Sequence, residues 1–202
     1  MKVHRTDVLV IGGGGAGSRA AIEAHDSSVD VTIICKGEYG LSGCTPNSAS
    51  EWMAYGVALG IADPRDTCEM HFRDIVSVGG YVCDHNLARI IAYESPDRFR
   101  ELVDWGVEFL REPDGRFRQV MSDGATYPRA CGTGADTGRQ IMDALKRQVE
   151  ERGITVFENV MAVDLIVDGG VVAGAVGIDT ESLELTAFIA GSTIMATGGH
   201  GC

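Results

Sequence analysis

Residues 8–17, "VLVIGGGGAG", constrain this chain more than any other stretch. Four apolar residues in a row, Val8 to Ile11, suit a strand covered on both faces, as in a parallel sheet. Gly12, Gly14 and Gly17 carry GxGxxG spacing. In such a turn the first glycine permits the bend, the second lets backbone approach a pyrophosphate, and the third lets helix and strand pack closely. Residues 16–28, "AGSRAAIEAHDSS", read as a helix with Ala20, Ala21 and Ala24 as its small face. Residues 29–36, "VDVTIICK", read as a second buried strand. Together these make a βαβ unit, whose helix N-terminus offers unpaired N–H groups and a positive dipole end to phosphates. A bare GxGxxG carries little weight; one that follows a strand and opens a helix points to a dinucleotide.

Which dinucleotide is open at this level. An acid at the end of the second strand ordinarily binds ribose hydroxyls. Here Cys35 and Lys36 hold that place, and Glu38 lies past the strand in a glycine-flanked turn. This departs from a plain NAD site. Lys36 reads either as a phosphate partner, as in NADP sites, or as a solvated lysine at a strand end. The formal net charge of −12 argues against non-specific binding to nucleic acid or to anionic membrane. It leaves room for a small anion held by backbone dipoles. No apolar run approaches the ~18 residues of a membrane span. The N-terminal apolar run is too short for a signal peptide and is broken by glycines, so a cytoplasmic protein is expected. Six cysteines, at 35, 44, 68, 83, 131 and 202, show no CxxC spacing and read as reduced thiols. "CEMH" and "CDH" have no second ligand pair to complete a tetrahedral site, so no metal is expected.

Beyond the βαβ unit the spacing predicts helices. They cover residues 47–60, a stretch starting near Pro64, and two more between 84 and 106 that Pro96 separates by its missing donor. "VEFL" (107–110) reads as a short strand. Residues 138–153 predict a helix with Ile141, Met142, Leu145 and Val149 on one stripe, ended by Gly153. Residues 154–159 predict a strand. Residues 160–167, 171–179 and 185–191 predict a three-strand antiparallel meander, turning at "DGG" and near "TESLE". "STIMATGG" (192–199) predicts a final buried strand.

This layout resembles the flavoprotein subunit family of succinate dehydrogenase and fumarate reductase, which also holds L-aspartate oxidase. The resemblance rests on "DVLVIGGGGAGSRAAIEA", "CKG", "GLSGCTPNSASEWMA", the stretch from "HFRDIVSVGG" to "DGRF", "ADTGRQIMDAL", "MAVDL" and "IMATGGHG". It covers essentially all 202 residues. It implies an α/β fold: a Rossmann-like two-dinucleotide-binding FAD domain with a central parallel sheet, an antiparallel three-strand meander and a helical insertion at about 46–137. It also implies that the chain is the N-terminal portion of a longer protein, without the capping and C-terminal segments.

By the same resemblance, Gly12, Gly14, Gly15, Ala16 and Gly17 cradle the pyrophosphate of FAD. Cys35 and Lys36 lie by the adenosine ribose. Ser42, Gly43, Cys44 and Thr45 run along the ribityl chain and flavin. Ala162 offers its backbone to adenine, and Ala196, Thr197, Gly198 and Gly199 pass close to the dinucleotide. Respiratory members often attach FAD to a histidine in the loop after the second strand. Gly43 stands there, and no histidine occurs between His25 and His71, so FAD is expected to be non-covalent. The family moves a hydride between flavin and a carbon–carbon bond beside carboxylates. "RQVMSDGATYPRAC" occupies the place of a substrate-side loop, which makes Gln119, Thr126 and Arg129 candidates for touching a dicarboxylate. No residue of this chain is expected to be catalytic, and the fragment is expected to be inactive. Iron–sulfur or membrane-anchor partners are left open, as is a place at the cytoplasmic face of the membrane. The competing readings are an FAD- or ADP-binding module without turnover and an NAD(P)-binding reductase domain.

Overall fold

The computed structural model describes residues 1–48 and 52–199. The chain divides into two compact units, Met1–Ser48 with Ile141–Cys202, and Ala49–Gln140. The first unit is built on a six-stranded sheet. Its strands are β1 (Lys2–Ile11), β2 (Val31–Ile34), β5 (Thr155–Phe157), β6 (Val160–Asp168), β7 (Val171–Asp179) and β8 (Leu185–Met195), in the order β5-β2-β1-β8-β7-β6. β5, β2, β1 and β8 are parallel; β8, β7 and β6 are antiparallel. Ile11 is paired with both Ile34 and Met195, and Ile34 with Phe157. The carboxyl ends of four parallel strands are therefore level, and in open α/β sheets ligands bind outside that edge.

The sheet is central because its residues cannot face water. Leu9, Val10, Ile33 and Ile34 are fully buried, and Phe188 lies in a cluster with Leu9, Ile11, Ile34, Val160 and Ala175. His4, Phe157 and Phe188 meet edge to face, with centroids 4.9–5.8 Å apart. α1 (Gly15–Asp26) packs on β1, β2 and β8 through a buried side that includes Ser18, Ala21 and Ile22. On α5 (Thr137–Glu151), Met142, Leu145 and Val149 are buried and Ile141 is half-buried, as the stripe predicts.

One expected break is absent. Residues 185–191 and 192–199 read as two strands, yet β8 is continuous through Gly191 to Met195. It pairs antiparallel with β7 at Leu185–Ile189 and parallel with β1 from Thr186 to Met195. The third strand of the meander and the last parallel strand are thus one strand using both of its edges.

The second unit contains α3 (Cys68–Val78), α4 (His85–Asp104) and a two-stranded sheet of β3 (Met53–Gly56) and β4 (Ala130–Gly134). The insertion is therefore helical only in part. The helix expected over 47–60 runs across residues 49–51, which lie outside the described residues. Its later part is β3, where Met53 and Tyr55 turn inward and Tyr55 meets Phe99 at 6.0 Å. The alternation is half-hidden by Ala54 and Gly56, which carry no strand signal. Pro96 does not split α4. Its missing N–H would have bonded the carbonyl of Ala92; instead the Ser95 hydroxyl donates to that oxygen at 3.2 Å in a buried setting. "VEFL" forms no strand: Val107 and Phe109 are buried, Phe109 N–H turns back to Val107 O at 3.1 Å, and Leu110 N–H bonds the Gly132 carbonyl at 2.9 Å. Phe99 gathers Phe109 at 4.4 Å and Phe117 at 4.9 Å into the core of this unit.

Candidate dinucleotide site

The glycine turn sits at the carboxyl edge of β1. Gly12 takes φ +114°, and a Cβ there would overlap the carbonyl oxygen of Ala196. Its N–H bonds Ile34 O at 2.8 Å, and Ala196 N–H bonds Ile11 O at 2.8 Å. A Cβ on Gly17 would overlap the carbonyl oxygen of Gly12 and lie 3.3 Å from the Cβ of Ala196. Gly12, Gly17 and Ala196 thus form a knot in which strand, helix and post-strand segment touch through bare backbone.

Gly14 is the N-cap of α1, with φ −78° and ψ −171° and no side-chain cap. The first N–H groups of a helix have no partner inside it. Of those here, Gly15 N–H donates to the Thr45 hydroxyl at 3.1 Å, while Ala16 is exposed. The helix end therefore presents N–H groups and a positive dipole end with no bulky side chain of its own, Thr45 standing beside it, which fits the needs of a pyrophosphate.

The turn after β2 lies beside it. Cys35 is buried, its thiol donating to Gly37 O at 3.2 Å, and burial pushes that thiol up to about 11. It packs as a neutral thiol. Lys36 is exposed. Ser42 donates to Glu38 O at 2.8 Å, and Gly43 takes φ +89° ahead of α2 (Cys44–Asn47). Asn47 closes the turn by donating to Leu41 O at 2.6 Å and Gly43 O at 2.9 Å. Cys44 is exposed, and Thr45 reaches back to Gly15. Val160 N–H bonds Cys35 O at 2.8 Å, which brings the start of β6 to the end of β2, two residues before Ala162. The register of β6 shifts just after Ala162, and such irregularities leave backbone groups outside the ladder. Thr197, Gly198 and Gly199 follow the knot and are exposed.

Sequence reasoning passed over Tyr39, Ser18 and Glu158. Tyr39 is 3% exposed. Its ring lies so close to Gly13 that a Cβ there would come within 2.8 Å of it. The one local signal was an aromatic residue inside "GEYG".

Gln119, Thr126 and Arg129 belong to the second unit and make hydrogen bonds or ion pairs within it, while Arg129 Nε is buried without a hydrogen-bond partner. Gln119 is buried; it accepts from the N–H groups of Ile61 and Ala62 at 3.1 and 3.2 Å and donates to Val57 O at 2.8 Å. Thr126 donates its hydroxyl to Asp74 at 2.6 Å and its N–H at 2.9 Å. Arg129 is ion-paired with Asp66 at 2.8 Å and with Asp74 at 2.7 Å.

This cluster carries opposed titrations. Burial pushes the Asp66 carboxyl up to about 6, against the pull of Arg129. Burial, with Arg129 adding to it, pushes His71 down to about 4. The stability that Asp66 contributes is full below its unfolded value near 4 and is lost as pH rises through 6. That of His71 is full above its unfolded value near 6.5 and is lost as pH falls through 4. The two oppose each other over one window. Asp66→Asn removes only the first. The stability of the unaltered chain minus that of Asp66→Asn is expected to fall by about 2 kcal/mol from pH 4 to pH 6.5, at ~1.4 kcal/mol per pKa unit and with the unfolded carboxyl already partly ionised at pH 4. Urea unfolding at several pH values measures it; a difference independent of pH contradicts the assignment.

Among the described residues no cluster of three or more His, Cys, Asp or Glu could hold a metal, and no helix is long and apolar enough to cross a membrane. The model of the FAD binding domain family matches residues 7–202. A subunit of the fumarate reductase (CoM/CoB) of Methanothermobacter marburgensis is 40% identical over 200 residues, covering 99% of this chain and 36% of that protein. The chloroplastic L-aspartate oxidase 2-a of Nicotiana tabacum is 32% identical, over 96% of this chain and 30% of that protein. Among solved structures, Mycobacterium smegmatis Sdh1 in complex with UQ1 matches with a TM-score of 0.90 and 32% identity, over 98% of this chain and 35% of that one. The chain spans about a third of the length of these relatives. With a matching family model, a matching fold and a glycine knot at the edge where a dinucleotide binds, the chain belongs to the FAD binding domain family, whose cofactor is FAD.

Proposed function

We propose that the chain is the FAD-holding part of an oxidoreductase that transfers hydride between flavin and a dicarboxylate of the succinate, fumarate or L-aspartate type. The observation that carries this is the glycine-opened N-terminus of α1 tied by Gly12 and Gly17 to the strand ends. The names of the relatives support the reaction class. When bound, FAD supplies the hydride acceptor or donor. The chain's own part is to bind and orient it. Gly12, Gly14, Gly15, Ala16 and Gly17 hold the pyrophosphate; Cys35, Lys36 and Ala162 flank the adenosine; Ser42, Gly43, Cys44 and Thr45 line the ribityl side; Ala196 to Gly199 close the edge. FAD is held without a covalent bond, since no histidine lies between His25 and His71. Gln119 and Arg129 shape the loop they stand on through a hydrogen bond to Val57 O and ion pairs to Asp66 and Asp74. Partner subunits, an iron–sulfur protein or a membrane anchor among them, are consistent with relatives named as subunits.

A second reading uses the same helix N-terminus: a module that holds FAD, or its ADP half, without turnover. One experiment serves both. Purified chain incubated with FAD and freed of excess is expected to show a flavin spectrum, released to the filtrate by acid denaturation. Flavin that stays with denatured protein overturns the non-covalent assignment. No retained flavin, with ADP still binding, leaves only the module reading.

A further inference from the structure

We propose that Tyr39 is the positioning residue of the pyrophosphate cradle, with Ser18 and Glu158 as its anchors, so that FAD affinity depends on a phenol hydroxyl that FAD does not touch. The proposal rests on the site assignment above and deepens it.

Four elements converge on this one side chain and its peptide. Its hydroxyl and that of Ser18, on the inner side of α1, are 2.8 Å apart and buried. Ser18 also donates to Gly13 O at 3.4 Å, within the phosphate turn. The Tyr39 ring covers Gly13, where a built Cβ would lie 2.8 Å from one ring carbon and 3.1 Å from the next. Tyr39 N–H donates to the Glu158 carboxylate at 2.7 Å, just past β5. Its carbonyl accepts from Lys146 of α5 at 3.4 Å. Burial pushes the phenol up to about 12, so it stays a neutral hydroxyl.

The chain then runs from Tyr39 through Gly40 at φ +83° and Gly43 at φ +89° to Thr45, whose hydroxyl caps Gly15 N–H. Two conformationally permissive glycines would leave Thr45 loosely placed if nothing fixed the turn before them. Tyr39 fixes its start, with Asn47 closing it from the far side, and Tyr39 at the same time presses on the turn that faces the phosphates. The two walls of the cradle are thereby held at one spacing. A Thr45 hydroxyl that accepts from Gly15 still has its own hydrogen to donate. Its direction matters to an anion bound at the helix end.

The test uses Tyr39→Phe, Ser18→Ala, the double variant, Glu158→Gln and Glu158→Ala in the full chain. FAD and ADP dissociation constants and the 31P spectrum of the bound pyrophosphate are measured. Losing one buried hydrogen bond is expected to weaken both ligands about three- to tenfold. The double variant should be no weaker than either single one, because both remove the same bond. The 31P resonances should shift, and Glu158→Gln, which keeps an acceptor, should bind more tightly than Glu158→Ala. Lower melting temperatures with unchanged dissociation constants and unchanged 31P shifts would overturn the positioning role and leave Tyr39 as packing. If the unaltered chain binds FAD but Gly14→Val and Thr45→Ala bind it equally well, the site assignment itself fails.

Discussion

Gly17→Ala is expected to weaken FAD binding by more than about a hundredfold, and to lower stability by roughly 1–3 kcal/mol. The new Cβ would overlap the carbonyl oxygen of Gly12. Backbone opposes it, not a side chain that can rotate away. Gly12 has no room to retreat, since its own φ of +114° puts it against the Ala196 carbonyl. Relief requires α1 to lift from β1, which carries the N–H groups at its N-terminus away from the strand edge. Gly14→Ala is the informative contrast. Its φ is −78°, and a Cβ there would be 3.8 Å from the Thr45 hydroxyl, so the apo fold has room for it. A loss of affinity at Gly14 without loss of stability therefore measures how closely the ligand approaches that backbone. Titration of FAD into the two variants, with their urea midpoints, separates the cases. Gly17→Ala that binds FAD within threefold of the unaltered chain contradicts the knot as the basis of the site.

How much of this was legible depends on sequence range. The βαβ unit was readable because four apolar residues, three spaced glycines and an alanine-rich helix are local signals that agree with one another. β8 was misdivided because Gly191 looks like punctuation. In the sheet it is held by β1 alongside, with the β1 register unbroken from Thr6–Ala190 to Val8–Ser192. α4 was misdivided because Pro96 does lose a bond, and the repair comes from Ser95, a neighbour whose hydroxyl direction no pattern shows. Tyr39 was invisible for another reason: its partners stand 21 and 119 residues away. The same holds for Gln119 and Arg129. The resemblance puts their stretch in the place of a substrate-side loop, whereas their bonds return to residues more than fifty positions earlier in the chain.

Arg129→Met is expected to cost about 3–5 kcal/mol at pH 7, the usual penalty for leaving buried charge unpaired. The Arg129 side chain is 3% exposed, and its partners Asp66 and Asp74 are 0% and 14% exposed. Asp74 would keep its two bonds from Thr126. Asp66 would lose its ion-pair partner while remaining buried beside Asp74 and Asp63, whose charges already raise its pKa. It should then take up a proton more readily still. The cost of Arg129→Met is thus expected to shrink as pH falls from 7 to 5, and Asp66→Asn in the same chain should recover part of it. A penalty below about 1 kcal/mol, or one independent of pH, would mean that water reaches the pair and screens it. The experiment also separates two roles for Arg129. A residue that clamps a dicarboxylate loses substrate affinity on substitution while the fold keeps its stability, and any loss follows the substrate's charge. A residue that holds the stretch 66–74 to the loop at 126–129 loses stability first, with a pH dependence set by Asp66. The 2.7 and 2.8 Å pairs inside the unit, with no face of the guanidinium open to solvent beyond that 3%, place the larger effect on stability.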